Sequence, residues 1–239
     1  MFIPLRDDNS LKSIPFQYVT VGLIAVNILV FILEVSGLSH AAVASFAVTP
    51  RELLGGTALL APSSFSEDGY AIGEEATLLT YMFFHADVFH LVGNMLFLWV
   101  FGDNVEDAMG HLRFVAFFLL CGTAASLAHA YITPEPHRPL IGASGGVSGV
   151  VAAYLILYPR VKIWGLFLKG IPLHLPAYWT IGFWFALQFA SAFLGGDDGV
   201  GWFAHLGGFI VGAILIPLMR RRYDPVLARV QAQELQAPR

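Results

Sequence analysis

Charge and cysteine are what this chain has least of. Only 13% of its 239 residues are Asp, Glu, Lys or Arg, about half the fraction usual in a soluble globular domain, while 56% are apolar. A water-facing surface is hard to build from so few charges, which argues against an ordinary soluble fold. The net charge of -4 leaves no basic footprint, so no nucleic-acid partner is expected. The single cysteine, Cys121, excludes a disulfide framework or a cysteine metal cluster within one chain and is expected to be a packing residue. Residues 1–15, with Pro4, Arg6, Asp7, Asp8 and Lys12, lack an apolar stretch ending at a small-residue cleavage site, so no removable signal peptide is expected. Neither an internal repeat nor a second domain is visible.

What the chain has instead is apolar runs. Crossing a hydrocarbon core of about 30 Å takes roughly 20 residues. Six candidates fall at residues 18–35, 78–101, 112–132, 143–158, 174–194 and 202–219. The expected fold is therefore all-α, a polytopic bundle of six transmembrane helices in a lipid bilayer. Assigning alternate loops to one side gathers Arg6, Lys12, Arg113, Arg160, Lys162, Lys169, Arg220, Arg221, Arg222, Arg229 and Arg239 there, leaving only Arg51 and Arg138 opposite. That bias predicts both termini on the cytoplasmic side. Acidic residues collect outside, among them Glu52, Glu67, Asp68, Glu74, Glu75, Glu135, Asp197 and Asp198.

The first external loop, residues 36–77, is the longest. Its 43–54 part is expected to form a short helix lying on the bilayer, and residues 62–73 a connector. The chain divides into a cytoplasmic N-terminal segment, 1–17, a six-helix domain, 18–219, and a basic cytoplasmic tail, 220–239.

Two polar residues stand out against this background. Ser144 lies in Gly142-Ala143-Ser144-Gly145 at the start of the fourth run, and His205 in Ala204-His205-Leu206-Gly207-Gly208 at the start of the sixth. Either alone would read as a helix-bonding or helix-joining group. Together they suggest a nucleophile and its base. Both runs descend toward basic boundaries, and Ser144 lies sixteen residues before Arg160 while His205 lies fifteen before Arg220, about 24 and 22 Å of helix. The two therefore sit at matching depth in the outer half of the membrane. A second serine, Ser148, is one turn deeper, about 18 Å above the boundary. Ser144 is favoured as nucleophile, by its depth and by the free N–H groups of a helix start that can hold an oxyanion. Gly142, Gly145, Gly146 and Gly149 on one run, and Ala204, Gly208 and Gly212 on the other, let two helices approach closely.

The second run adds His90 and Asn94, four apart on one helix face, as donors for an anionic oxygen. A zinc site built from His85, His90 and His205 is the metal alternative. His85 and His90, five apart, diverge around a helix, no His-Glu-x-x-His is present and no carboxylate is expected deep in a run, so neither metal nor cofactor is expected.

These residues resemble the rhomboid intramembrane serine proteases, bacterial type. His85, His90 and Asn94 match the family's His-x4-His-x3-Asn, Gly142 to Gly145 its Gly-x-Ser-Gly, and Ala204-His205 to Gly208 its Ala-His-x-x-Gly, on three separate runs and in order. The stretch Gly102-Asp103-Asn104-Val105-Glu106 resembles the bacterial form, with Glu106 as a structural carboxylate. The resemblance implies a Ser144–His205 dyad without an acid, with His90, Asn94 and the Ser144 backbone N–H holding the oxyanion. It implies a transmembrane segment of another protein as substrate, entering between the second and fifth runs and cut near the outer surface. It also implies residence in the bacterial inner membrane. Two departures accompany the match. The first loop has Arg51 without the Trp-Arg pair of some members, and Ser148 stands where others have a tyrosine stacked on the catalytic histidine, so a hydroxyl is offered to His205 instead. The competing readings are a non-catalytic rhomboid-like protein that binds membrane helices, and a small transporter, which would require repeated halves. In the fifth run Trp179, Phe183 and Trp184 face lipid or form part of a gate; aromatic spacing does not choose between these.

Overall fold

A computed structural model describes residues 2–38, 43–55, 72–167, 170–194 and 201–221. Most of the 62–73 connector, Lys169, the acidic positions Glu67, Asp68, Asp197 and Asp198, and the tail from residue 222 onward lie outside the described residues. Strand β1 (Phe2–Asp7) precedes helix α1 (Tyr18–Val35), the short helices α2 (Pro50–Leu54) and α3 (Glu74–Thr80), and a 3-10 turn over Tyr81–Phe83. Then come α4 (Val88–Met109), α5 (His111–Ile132), α6 (Ser144–Leu157), a hairpin of β2 (Lys162–Phe167) and β3 (Ile171–Pro176), α7 (Ala177–Leu194) and α8 (Trp202–Met219).

The protein is mostly helical. Among the described residues α1, α4, α5 and α8 are long and apolar enough to cross a membrane, and α6 is apolar but has 14 residues. At about 1.5 Å per residue α6 reaches only about 21 Å. It can be short because it is the centre of the bundle, buried continuously from Gly145 to Tyr154 against α4, α5 and α8. By contrast α1 turns Leu29, Ile32, Leu33 and Val35 outward and buries only Thr20 and Asn27. An apolar outer face of this kind suits lipid, not water.

The second helix does not occupy 78–101 but Val88–Met109, because Asp87 caps it, accepting the N–H groups of Phe89 and His90 at 2.7 and 2.9 Å. Its far end carries Asp103, Glu106 and Asp107 inside the helix, so carboxylates do lie within a long apolar helix. The chain's own N-terminus satisfies two of them. Asp107 accepts the backbone N–H groups of Lys12, Ser13 and Ile14, and Glu106 those of Val19 and Thr20 as well as the Thr20 hydroxyl. Gly110 then turns the chain directly into α5 with φ of +85°, a conformation open to glycine.

Nor is the fold all-α. Strands β1, β2 and β3 pair antiparallel in that order, with Trp164 opposite both Arg6 and His174. The fifth apolar run accordingly begins with a strand that contains His174, and its helix starts only at Ala177, after Pro176. The 43–54 part of the first loop does form a short helix, α2, but Ala47 and Val48 ahead of it are buried in the protein, and Val48 pairs with Leu140. Arg51, without an aromatic partner in sequence, donates to His137 Nε2 at 3.0 Å, and its backbone N–H to Pro136 O.

Candidate active site

The site begins where the capped start of α4 meets the turn into α6. Asp87 sets the helix so that His90 and Asn94 share a face, and Asn94 donates one amide hydrogen to His90 O at 3.0 Å. His85, fully buried just before the helix, lies edge-on to His90 with ring centroids 5.1 Å apart. Gly142, at φ of +120°, donates its N–H to Tyr81 O, and a Cβ there would come within 2.7 Å of the His90 ring. Only glycine allows this turn and this approach together. Ser144 follows as the first residue of α6, so its N–H and those of Gly145 and Gly146 belong to the helix's unpaired donors.

Across from it, α8 lies against α6 through glycine backbones. A Cβ on Gly208 would collide with Gly145 O, and one on Gly212 would reach Gly149 Cα at 2.5 Å. Both contacts join residues 63 positions apart, 145 with 208 and 149 with 212, which fixes the register of two parallel helices. At that register His205 is level with residue 142, two residues from Ser144 and six from Ser148. The corresponding axial offsets are about 3 Å and about 9 Å. Ser148 is 1% exposed and one turn deeper. Gly145 also abuts Ala125 and the Tyr81 hydroxyl, and Ala204 is buried at the start of α8.

A cavity of about 790 Å³ joins these groups, and Ser144, Ser148, His205, His90 and Asn94 all line it. Glu106 is not among them. It lies at the opposite end of α4, where the first turn of α1 and His111 Nδ1, 2.5 Å away, surround it. Among the described residues no three His, Cys, Asp or Glu side chains are placed to hold a metal ion.

One cavity residue escaped the sequence reading. Gln188 of α7 places its Oε1 2.7 Å from His205 Nδ1. Its signal was present as the one amide in the apolar stretch 177–194. Around the same imidazole, Trp184 lies nearly parallel at 6.5 Å and Trp202 edge-on at 5.8 Å. Rings from α7 and α8 thus flank the histidine, in place of one at position 148. Trp184 also meets Phe97 of α4 at 5.7 Å, whereas Trp179 and Phe183 point outward from the bundle.

The family model for the Rhomboid domain matches residues 73–222, well over half of the chain. The chain belongs to the rhomboid family. It is an integral membrane protein. Among curated rhomboid relatives, the "RHOMBOID-like protein 12, mitochondrial" of Arabidopsis thaliana is 28% identical over 172 residues, which cover 65% of this chain and 50% of that protein. The "Rhomboid protease GluP" of Bacillus subtilis is 31% identical over 145 residues, 61% of this chain and 27% of that one. A third, "Inactive rhomboid protein 1" of Drosophila melanogaster, is 35% identical over 80 residues, 34% of this chain and 6% of the relative. The matched region thus spans half or less of these relatives' lengths. The family includes named proteases and named inactive members, so activity must be argued from the side chains themselves.

Proposed function

We propose that this rhomboid is an intramembrane serine endopeptidase acting through Ser144 and His205. The observation that carries the reading is the register of α6 on α8, which leaves His205 only about 3 Å of axial offset from Ser144, with both residues on one cavity. In this mechanism Ser144 Oγ attacks the scissile carbonyl while His205 Nε2 takes its proton and returns it to the leaving amine. On this reading the oxyanion forms beside the N-terminus of α6, with the Ser144 N–H, His90 and the remaining amide hydrogen of Asn94 as its donors. Ser148 is a wall of the cavity, one turn too deep to be the nucleophile. His85 backs His90, Gly142, Gly145, Ala204 and Gly208 permit close packing, and Glu106 holds α1.

The substrate is a transmembrane segment of another protein, admitted from lipid between α4 and α7 and cut near the outer surface. We read six spans, α1, α4, α5, α6, α7 and α8, with a long external first loop and both termini inside, in a bacterial inner membrane. Residues 18–219 are the protease domain, with a short segment on either side. No cofactor is required. The alternative is a rhomboid that binds membrane helices without cutting them. Cleavage of a single-span substrate in liposomes, compared with Ser144→Ala, Ser148→Ala and His205→Ala, decides. Loss in the first and third with retention in the second is expected. Cleavage that survives Ser144→Ala overturns the assignment.

A further inference from the structure

We infer that Gln188 is the positioning residue that sets the tautomer of His205, a role that rests on the proteolytic reading above. A neutral imidazole carries one N–H, and an amide oxygen only accepts. With Gln188 Oε1 2.7 Å from Nδ1, the proton resides on Nδ1 and the Nε2 lone pair is left for Ser144. The contact is sheltered, since Gln188 is 9% exposed and lines the same cavity as His205 and Ser144. The flanking rings of Trp184 and Trp202 restrict rotation of the imidazole, so the hydrogen bond fixes a ring already held in plane. An amide suits this position physically. It selects a tautomer without placing a full charge in a low-dielectric interior, which a carboxylate would do.

The location of Gln188 adds a consequence. Trp184 and Gln188, four apart, form the inward stripe of α7, while Trp179, Phe183 and Leu187 face outward. The base is therefore held in its working tautomer only while α7 is seated against α8. A helix that flanks the substrate's route also completes the dyad.

The test uses the full chain in liposomes with a single-span substrate. Gln188→Leu keeps the bulk, is more apolar and removes the acceptor. Gln188→Glu keeps an acceptor at the same reach. Loss of the outer hydrogen-bond partner of a metal-bound histidine costs about 10- to 100-fold, and the same order is expected for a catalytic one. Gln188→Leu is expected to lower kcat by about that factor with KM unchanged, Gln188→Glu to restore most of it, and nitrogen NMR of His205 to show Nδ1–H in the wild type but a mixture in the leucine variant. If Gln188→Leu fails to fold, Gln188→Met repeats the measurement. Wild-type kcat and an unchanged tautomer in the leucine or methionine variant, or a glutamate variant as slow as the leucine one, would overturn the inference. Failure of the proteolytic reading is separate and shows as cleavage persisting in Ser144→Ala, whereas the NMR readout reports on Gln188 without any turnover.

Discussion

Gly212→Ala asks whether the spacing of α6 and α8 governs the chemistry. The added methyl would lie 2.5 Å from both Cα and O of Gly149, where an unstrained carbon contact needs about 3.5 Å. Both partners are helix backbone, so no side chain can swing aside and the helices must part by roughly 1 Å. Gly212 is seven residues beyond His205, about 10 Å along α8, and the methyl itself touches neither Ser144 nor the imidazole. Any loss of rate must therefore come from separation. Misplacement of reacting groups by about 1 Å costs about 10²-fold, and overpacking a close contact costs about 1–3 kcal/mol of stability. Cleavage of a single-span substrate, fluorophosphonate labelling of Ser144 and thermal unfolding, all in one liposome preparation, measure the two effects separately. Gly22→Ala is the control, because a Cβ there meets nothing within 4 Å. A folded Gly212→Ala protein that cleaves and labels at the wild-type rate would refute the argument.

Asn94→Ala should lower kcat by about 10²- to 10³-fold with little change in substrate binding, as loss of one oxyanion donor does; an equal change in KM alone would point to a structural amide. Glu106→Ala should destabilise the protein by about 1–3 kcal/mol without altering the chemistry of the protein that remains folded, because α1 has no side-chain cap of its own and Glu106 supplies one from across the bundle. Thermal unfolding with and without the variant reads this directly. Asp7 gives a pH signature outside the spans. Burial pushes its carboxyl above the usual 3.8, against the lowering effect of the Tyr154 hydroxyl, which donates to it at 2.5 Å. A raised acid pKa favours folding at low pH, and that contribution is lost as pH climbs from 3.8 through the raised value. The unfolding temperature of Asp7→Asn minus that of wild type should therefore increase across that window; a difference independent of pH would contradict the burial argument.

Hydropathy located α1 and α8 to the residue, although Thr20 and Glu34 lie near the ends of the first and His205 near the start of the second. It misplaced α4 because it treats Asp103, Glu106 and Asp107 as boundary residues. Glu106 and Asp107 are tolerated inside the helix largely through bonds to residues 12–20, 86 to 95 positions away, and no local window can see them. The sheet was hidden for the same reason. Lys162–Phe167 and Ile171–Pro176 are too short and too apolar to alternate, and β1 reaches β2 from the other end of the chain. The site was more legible than the fold around it. Ser144, His205, His90 and Asn94 stand in motifs whose spacing survives whatever the helix bounds are, and the structure brings all four to one cavity. Gln188 went unread since its partner lies on another helix, and a lone amide in an apolar run carries no spacing of its own.

On the proposed reading, the distribution of polar groups along the bundle separates what holds the protein together from what does its chemistry. Glu106 and Asp107 sit at the end of α4 remote from the cavity, each surrounded by several donors, and there their carboxyl oxygens act as fasteners. Around the cavity, where the Asp87 carboxylate is occupied in capping α4, Ser144, His90, Asn94, Gln188 and His205 instead present hydroxyl, amide and imidazole groups. Burying a carboxylate beside His205 would bring a desolvation cost that a central helix as closely packed as α6 has little freedom to relieve. A histidine oriented by an amide and flanked by two tryptophans obtains its tautomer and its plane without that cost. On the proposed reading a dyad suits serine chemistry inside a low-dielectric bundle, and the residue that stands third is an amide because it orients the histidine without the desolvation cost of a buried acid.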